Sequence, residues 1–588
     1  MPEGIRIVDR PVSEAAYRAA SAAGYSPLQS RVIAGRLTDG DANRVAALVR
    51  PRTDALSPPD ALPDIEMAAD AVARAIVDGL PLLIVSDFDA DGASGHGVVR
   101  SALQEHFGVP EHRIHSFIGH RLRDGYGVTD ALTDRVLREA PSPAVVITVD
   151  QGSTDHARIA RLREQGICTV VTDHHGVPDE GPPPDAIACV NPAREDSTFG
   201  DPYIAGVHVA WLLCCAVRQQ LISVGRLPRT APRLGGLLDL VALGTMADCV
   251  DLGRSANNRI VLTRGLELMN RPDARPVWRA LYRAARCTGT ISASTLGFSF
   301  GPIINARGRL DCALGSVDLL MCADAARAYA MAEALVAQNA QRRVVQSEML
   351  QRSIPMAQRQ VDDGCAAITI FDPEGHPGVH GICAARLADM YGQPVAYFSP
   401  RSDAELISGS LRTVPGVHVR SALRELAASN PGDFVAWGGH AGAGGVTLRK
   451  AGLERFRIAW SEIADGSLVG ELRGPRVLTD GELPLAPSLA VFEELAALEP
   501  FGRQWEVPIF RAAGQVRHMR AVGDGSHLKL SLMIRGAAYD AIWFGAVRDG
   551  VVPVSEGDSV VIAYEVDSNT FRDQNSLQLR VRYAARDA

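Results

Sequence analysis

The stretch Leu82-Leu83-Ile84-Val85-Ser86-Asp87-Phe88-Asp89-Ala90-Asp91-Gly92 decides how the chain is read. Its first four residues are apolar and partly β-branched, the pattern of a strand buried on both faces. Three carboxylates, Asp87, Asp89 and Asp91, follow at alternate positions, and such a cluster repels itself unless a cation neutralises it. The DxDxDG pattern also opens an EF-hand loop. That loop needs a bidentate Glu at its twelfth position, where this chain, counted from Asp87, has Val98. A strand directly before the acids also fits an EF-hand poorly. The expectation is an acidic turn at the carboxyl end of a parallel strand, the place where open α/β sheets bind ligands.

Further along, the pattern repeats. Apolar runs at Ala144–Val149 and Cys168–Thr172 end in the motifs TVDQG, with Asp150, and VVTDHHG, with Asp173, His174 and His175; another run covers Ile187–Val190. Strands that all end in Asp or His bring those side chains together at one sheet edge. The adjacent histidines can face a metal and a substrate, or form a hydrogen-bonded structural pair. Asp248 lies in the apolar helical segment LDLVALGTMADCV, where a lone carboxylate is costly to bury without a partner. Asp239, in the same segment, is read as a cap or surface residue. The candidate ligands are therefore Asp87, Asp89, Asp91, Asp150, His174, His175 and Asp248. Oxygen and imidazole donors suit Mn²⁺ or Mg²⁺ better than a thiolate zinc site. Two such ions about 3.5–4 Å apart would activate a bridging water for in-line phosphoryl displacement.

The rest of the chain bounds this chemistry. Its 588 residues exceed what one core usually serves. Hydrophobic residues at 46% and charged ones at 22% are those of a soluble globular protein without extended disorder. With no signal-peptide pattern and no apolar stretch of about 18 residues, a cytoplasmic protein with no membrane segment is expected. The ten cysteines include no CxxC and read as reduced thiols. A net charge of −8 argues against a uniformly basic coat, while a local positive groove would be enough to hold phosphates. Between Gly315 and Gly364 there is no glycine and one proline, Pro355, the composition of a long helix. A second α/β segment follows, from about Ala366 to Ala464. After Gly470, alternating runs at His527–Met533, Ala538–Phe544, Ser559–Val566 and Leu577–Val581 predict a small β-barrel, with an oligonucleotide-binding (OB) fold leading.

The motifs DFDADG, TVDQG, TDHHG and ALGTMAD, in that order, resemble the DHH phosphoesterase superfamily. The further segments RDGYG, IAGVHVAW, ANNRI, INARGRL, NAQRR, HPGVHGICAARL and GGHAGAGGVTL are similar to those of its RecJ family of single-strand-specific 5′ exonucleases. The resemblance runs from about residue 50 to 585. It implies an N-terminal extension (1–55), a DHH catalytic domain (56–320) with a doubly wound parallel sheet, a connecting helix (321–362), an α/β DHH-associated domain (363–468) and an OB-like barrel (469–588). It also implies Mn²⁺- or Mg²⁺-dependent removal of nucleotides from the 5′ end of single-stranded DNA during repair and recombination, with the seven residues above at its metal and catalytic positions. A helicase and a single-strand-binding protein are candidate partners for an enzyme expected to act as a monomer.

Polarity requires a pocket for one strand end, and Arg, Ser and backbone N–H groups suit a terminal phosphate. The candidates are Arg121, Arg309, Ser410 with Arg412, and His440 in its glycine-rich loop, with Lys529 and Trp543 holding the strand on the barrel. The chain departs from the family pattern at Gln151, at Ile303 in place of an arginine, at Leu411 and Thr413, and in FGRQWEVPIF, which lacks the usual GNP. These departures fall where DNA is expected rather than among the ligands. The competing functions are a DHH phosphodiesterase of oligoribonucleotides or cyclic dinucleotides, and a non-catalytic DHH scaffold that binds single strands.

Overall fold

The computed structural model describes residues 5–38, 40–310, 312–401, 403–468, 470, 474–547, 550–571 and 574–587. Two compact units divide the chain. One takes residues 41–342 together with 500–506; the other takes 1–40, 343–499 and 507–588. Strands are numbered along the chain from β1 (Arg6–Asp9).

The first unit is built on a five-stranded parallel sheet of β2 (Leu82–Ser86), β3 (Ile114–Ile118), β4 (Ala144–Val149), β5 (Ile167–Thr172) and β6 (Ala188–Val190), in the order β3-β2-β4-β5-β6. Every residue of β2 and β4 is buried, as continuous apolar runs require of central strands covered on both sides. Leu83, Val85, Ala144 and Val146 pack on one face with Leu132, Val136 and Leu162, from the helices Asp130–Glu139 and His156–Glu164. On the other face the helices Ala90–Ser101 and Gly206–Ser223 pass so close that a Cβ at Gly95 would meet Val149 Cγ1 at 2.5 Å. The strand β3, IHSFI, was not foreseen. It lies at the sheet edge and is half-buried along most of its length, so its pattern carries His115 and Ser116 where a central strand would be apolar.

The predicted long helix is Ala325–Asp362, with Pro355 inside it. Beyond it, the second unit holds a mixed sheet of β7 (Ile368–Phe371), β8 (Val395–Pro400), β9 (Leu406–Arg412), β10 (Phe434–Gly439) and β11 (Ala443–Arg449), ordered β10-β11-β9-β8-β7. After β12 (Arg476–Thr479) comes a closed barrel of β13 (Phe510–Val522), β14 (His527–Ile534), β15 (Ala537–Trp543), β16 (Ser559–Phe571) and β17 (Gln574–Arg586). Among the described residues no helix is long and apolar enough to cross a membrane.

The first residues of the chain join this second unit. β1 pairs in parallel with β12. Arg36 donates to both carboxylate oxygens of Asp480, at 2.7 and 3.2 Å, with both side chains fully buried. Asp480 also accepts from Ile509 N at 3.1 Å, beside the start of the barrel. Removing one partner of a buried pair strands the other charge, so Asp480→Ala is expected to destabilise this unit by about 3–5 kcal/mol. Calorimetry of the full chain should show one transition moved to lower temperature. The double change Arg36→Met with Asp480→Leu should recover most of the loss, and an unmoved transition in Asp480→Ala would refute this role.

Candidate metal centre

The acids and histidines nominated by the sequence converge at the carboxyl ends of β2, β4 and β5. Three overlapping groups, Asp87–Asp89–Asp150, Asp91–His174–Asp248 and Asp150–His174–His175, each bring their ligand atoms within 4.8 Å of one another. His174 Nε2 stands 3.2 Å from Asp150 Oδ1, 3.7 Å from Asp248 Oδ2 and 3.8 Å from Asp91 Oδ2. Asp150 and His174 are shared between groups, so the whole forms one continuous centre.

Local structure explains each placement. Asp89 caps the helix Ala90–Ser101 by accepting from Asp91 N at 2.9 Å and Gly92 N at 3.1 Å. Asn305 adds a third cap contact, accepting from Ala90 N at 2.7 Å. Asp91 points from this helix to the start of another, where Gly206 N (2.8 Å) and Val207 N (3.0 Å) donate to its two oxygens. Both helix N-termini thus lend their positive ends to the acids. A Cβ at Gly206 would fall 2.5 Å from Asp150 Oδ1, and one at Gly244 2.7 Å from Asp91 Oδ1. Asp150 itself has φ +62°, an unfavourable region for a residue with a side chain, and strain of this kind is characteristic of functional sites.

Asp173, quoted in its motif but given no role, organises the histidines. It accepts from Ser153 N, His174 N and His175 N at 3.0, 2.7 and 3.0 Å, and pairs with His175 Nδ1 at 2.8 Å. Asn191 Nδ2 donates to His175 O at 2.8 Å and to Ser153 Oγ at 2.9 Å. Below, His96 bridges Ser86 Oγ (2.9 Å) and Ser116 Oγ (2.8 Å), and burial pushes it down to about 3, so it stays neutral. These supports link residues distant in sequence and have no local signature. Asp239, left outside the candidate site, accepts from Trp278 Nε1 and pairs with Arg275.

Electrostatically the centre is short of positive charge. Burial, reinforced by neighbouring carboxylates, pushes Asp87 and Asp91 each up to about 7. Burial likewise carries Asp150 well above the usual range and raises Asp248, against the pull of His174. Desolvation works against a charged imidazole, but the surrounding acids outweigh it. Asp248 and Asp91 raise His174, and Asp173 takes His175 up to about 10. Burial would raise Asp173 too, yet the charge and hydrogen bonds of His175 hold it far below the usual carboxylate range. Asp87 Oδ1, Asp150 Oδ1 and His174 Nε2 are buried with no hydrogen-bond partner among the described residues. Orphaned donor atoms of this kind, all oxygen or imidazole nitrogen, fit a divalent cation such as Mn²⁺ or Mg²⁺.

The residues nominated for DNA are more scattered. Arg121 lies beside the centre: its charge acts on Asp87, and its guanidinium packs on the rings of Phe88 (4.3 Å) and Tyr126 (4.9 Å), which also touch each other. Arg309 is on the helix Gly301–Leu310, which also supplies Asn305 and brings Gly308 against Phe88 O. Ser410 and Arg412 belong to β9 in the other unit, where Arg412 pairs with Ala443, whose carbonyl accepts from His440 N at 2.9 Å. These three therefore occupy one end of the mixed sheet. Lys529, on β14 of the barrel, faces Asp540 at 3.7 Å. Trp543, expected to stack on a strand, is instead buried in the barrel at 3% exposure, while the neighbouring Phe544 is exposed. The last three residues of β15, Ala541 to Trp543, are all buried, so alternation along the strand could not tell which aromatic faces outward.

Comparison with known proteins supplies the remaining evidence. Family models match residues 81–245 (DHH family, N-terminal domain), 363–464 (DHHA1 domain) and 479–583 (RecJ OB domain). The chain is similar to the single-stranded-DNA-specific exonuclease RecJ of Dickeya dadantii, 34% identical over 88% of this chain and 90% of the relative. It is also similar to that of Escherichia coli, 34% identical over 88% and 89%. Among solved structures, RecJ of Thermus thermophilus in complex with Mn²⁺ superposes with a TM-score of 0.79 at 27% identity, covering all of this chain and 80% of that one. With its three family models in order and relatives a third identical along most of both lengths, the chain belongs to the RecJ family of single-stranded-DNA-specific exonucleases.

Proposed function

We propose that the chain hydrolyses phosphodiester bonds of single-stranded DNA, one nucleotide at a time from the 5′ end, using two Mn²⁺ or Mg²⁺ ions. The observation that carries this is the buried convergence of Asp87 Oδ1, Asp150 Oδ1 and His174 Nε2, without hydrogen-bond partners among the described residues, inside a set of carboxylates raised by burial. Asp87, Asp89, Asp91, Asp150, His174, His175 and Asp248 would hold the ions. When bound, such ions supply the Lewis acidity that phosphodiester hydrolysis requires. The residues of the chain supply the rest. Asp173 and Asn191 fix the imidazoles, and the two helix N-termini fix Asp89 and Asp91.

For direction, the candidates for the terminal phosphate are Arg121 and Arg309 in one unit, or Ser410, Arg412 and His440 in the other, groups that offer charge-assisted or neutral donors to its oxygens. Lys529 would hold the strand further along, on the barrel. The division into an extension (1–55), a catalytic domain (56–320), a connecting helix (321–362), a DHH-associated domain (363–468) and an OB domain (469–588) belongs to the same proposal. So does a cytoplasmic monomer acting in DNA repair and recombination, supplied with single strands by a helicase and a single-strand-binding protein.

The direct test is digestion of end-labelled single strands in Mn²⁺, with and without a 5′ phosphate. Loss of the 5′ label first as mononucleotide is expected. Release from the 3′ end, or turnover of a cyclic dinucleotide alone, would overturn the proposal. Asp150→Ala should lower cleavage by about a thousandfold or more, the loss of about 4 kcal/mol of transition-state stabilisation, while single-strand binding persists. Cleavage at the wild-type rate would remove Asp150 from the centre. Asp173→Asn should weaken Mn²⁺ binding, followed by electron paramagnetic resonance, by roughly 10–100-fold through the loosened His175. An unaltered affinity would leave Asp173 without that role.

A further inference from the structure

The segment Pro500–Glu506, PFGRQWE, lies in the chain between the helix Leu489–Ala496 and β13, yet it folds with the catalytic unit. It behaves as a strap. Trp505 is fully buried, and the fully buried Arg259 stacks on it at 4.6 Å while donating to Pro500 O at 2.7 Å and to Leu48 O. Gly502 and Trp505 close a tight turn through mutual backbone hydrogen bonds at 3.0 and 3.1 Å, with Gln504 forced to φ +62°. The turn is pressed onto the loop that follows Asp248: Leu252 N donates to Arg503 O at 3.0 Å, and a Cβ at Gly253 would meet Gln504 O at 2.6 Å. A Cβ at Gly502 would likewise lie 2.6 Å from Leu252 Cδ1 and 3.5 Å from Met246 Cε.

The backbone of Arg503 is thus pinned four residues beyond Asp248, while its side chain remains exposed, with no hydrogen bond or ion pair among the described residues. An exposed arginine is ordinarily a solvated surface group. This one sits on a strained turn anchored by a buried cation–π pair, which fixes where its charge is displayed. The hydrogen bond from Leu252 N to Arg503 O places it beside the loop that Asp248 opens. The Asp248 side chain is 28% exposed, against 0% for Asp91 and 2% for Asp150, so this is a side from which solvent reaches the centre. Arg121 is placed in the same way beside Asp87.

We propose that Arg503 binds a backbone phosphate of the DNA strand at the Asp248 rim of the metal centre. This rests on the reading of the chain as a single-strand exonuclease. A guanidinium with no hydrogen bond or ion pair among the described residues, carried on a pinned backbone beside the loop that follows Asp248, has the chemistry to receive a phosphate approaching the acids.

The test uses the full-length protein in Mn²⁺ and a long single strand, with Arg503→Gln and Arg503→Lys. For the glutamine variant KM should rise about five- to tenfold near 0.1 M salt, with the loss falling on KM more than on kcat. The slope of log(kcat/KM) against log[salt] should become shallower by about 0.7, the loss of one phosphate contact on a single strand. Arg503→Lys should keep the wild-type slope. Mn²⁺ affinity, measured by electron paramagnetic resonance, should stay within twofold, which separates phosphate binding from an effect on Asp248. An unchanged salt slope in the glutamine variant, or a loss traced to Mn²⁺ affinity alone, would overturn the proposal. Wild-type protein inert on single strands would instead sink the exonuclease reading itself, so the two failures are distinguishable.

Discussion

Four carboxylates, Asp87, Asp91, Asp150 and Asp248, are held in one largely buried space where, among the described residues, none has a cation at salt-bridge distance other than the shared imidazoles of His174 and His175. Left to themselves they would move apart or take up protons. Much of the surrounding architecture opposes the first outcome. Backbone donors at two helix starts hold Asp89 and Asp91, and glycines at 206 and 244 let backbone approach where any side chain would intrude. The left-handed conformation of Asp150 has the same origin, since it keeps the carboxylate against Gly206 as the chain leaves β4. A site so constrained is stiff, and stiffness is what ligands of a hard divalent ion require.

The same constraint governs how much could be read from the sequence. Central strands such as AVVITV are apolar at every position but Thr148 because both faces are covered, and an acid directly after such a run stands out. Asp150 and the pair His174–His175 were legible for that reason. By contrast, β3 was hidden by its edge position, and β13 by a pattern, FRAAGQVRHMRAV, in which exposed and buried residues interleave with a glycine. Hydrogen bonds that join distant segments, such as Asn305 to Ala90 or Asn191 to His175, leave no periodic trace. Motif glycines were the nearest available signal. Gly206 in IAGVHVAW and Gly244 in ALGTMAD are small because a ligand carboxylate occupies the space a Cβ would need.

The residues around the strap show that burial of charge is used twice in the catalytic unit, with opposite results. In the metal centre, buried acids outnumber their partners and fit an ion from outside. At Arg259 a buried cation is fully answered within the chain by carbonyls of Leu48 and Pro500 and the face of Trp505. The first arrangement is chemical and the second mechanical: one is suited to a ligand, the other fixes a late segment of the chain to an early one.

That late segment has a temporal consequence. A ribosome makes residues 41–342 long before residues 500–506, and makes residues 1–40 well before the segments 343–499 and 507–588 with which they fold. The acids and histidines are therefore present in a nascent chain whose strap and barrel do not yet exist. A chain released before residue 480 would carry the centre without the Arg503 rim, and without the Asp480 that pairs with Arg36. Folding of the early segments is in this way tied to synthesis of the later ones, so partial products would be deficient in both the edge of the centre and the anchoring of residues 1–40.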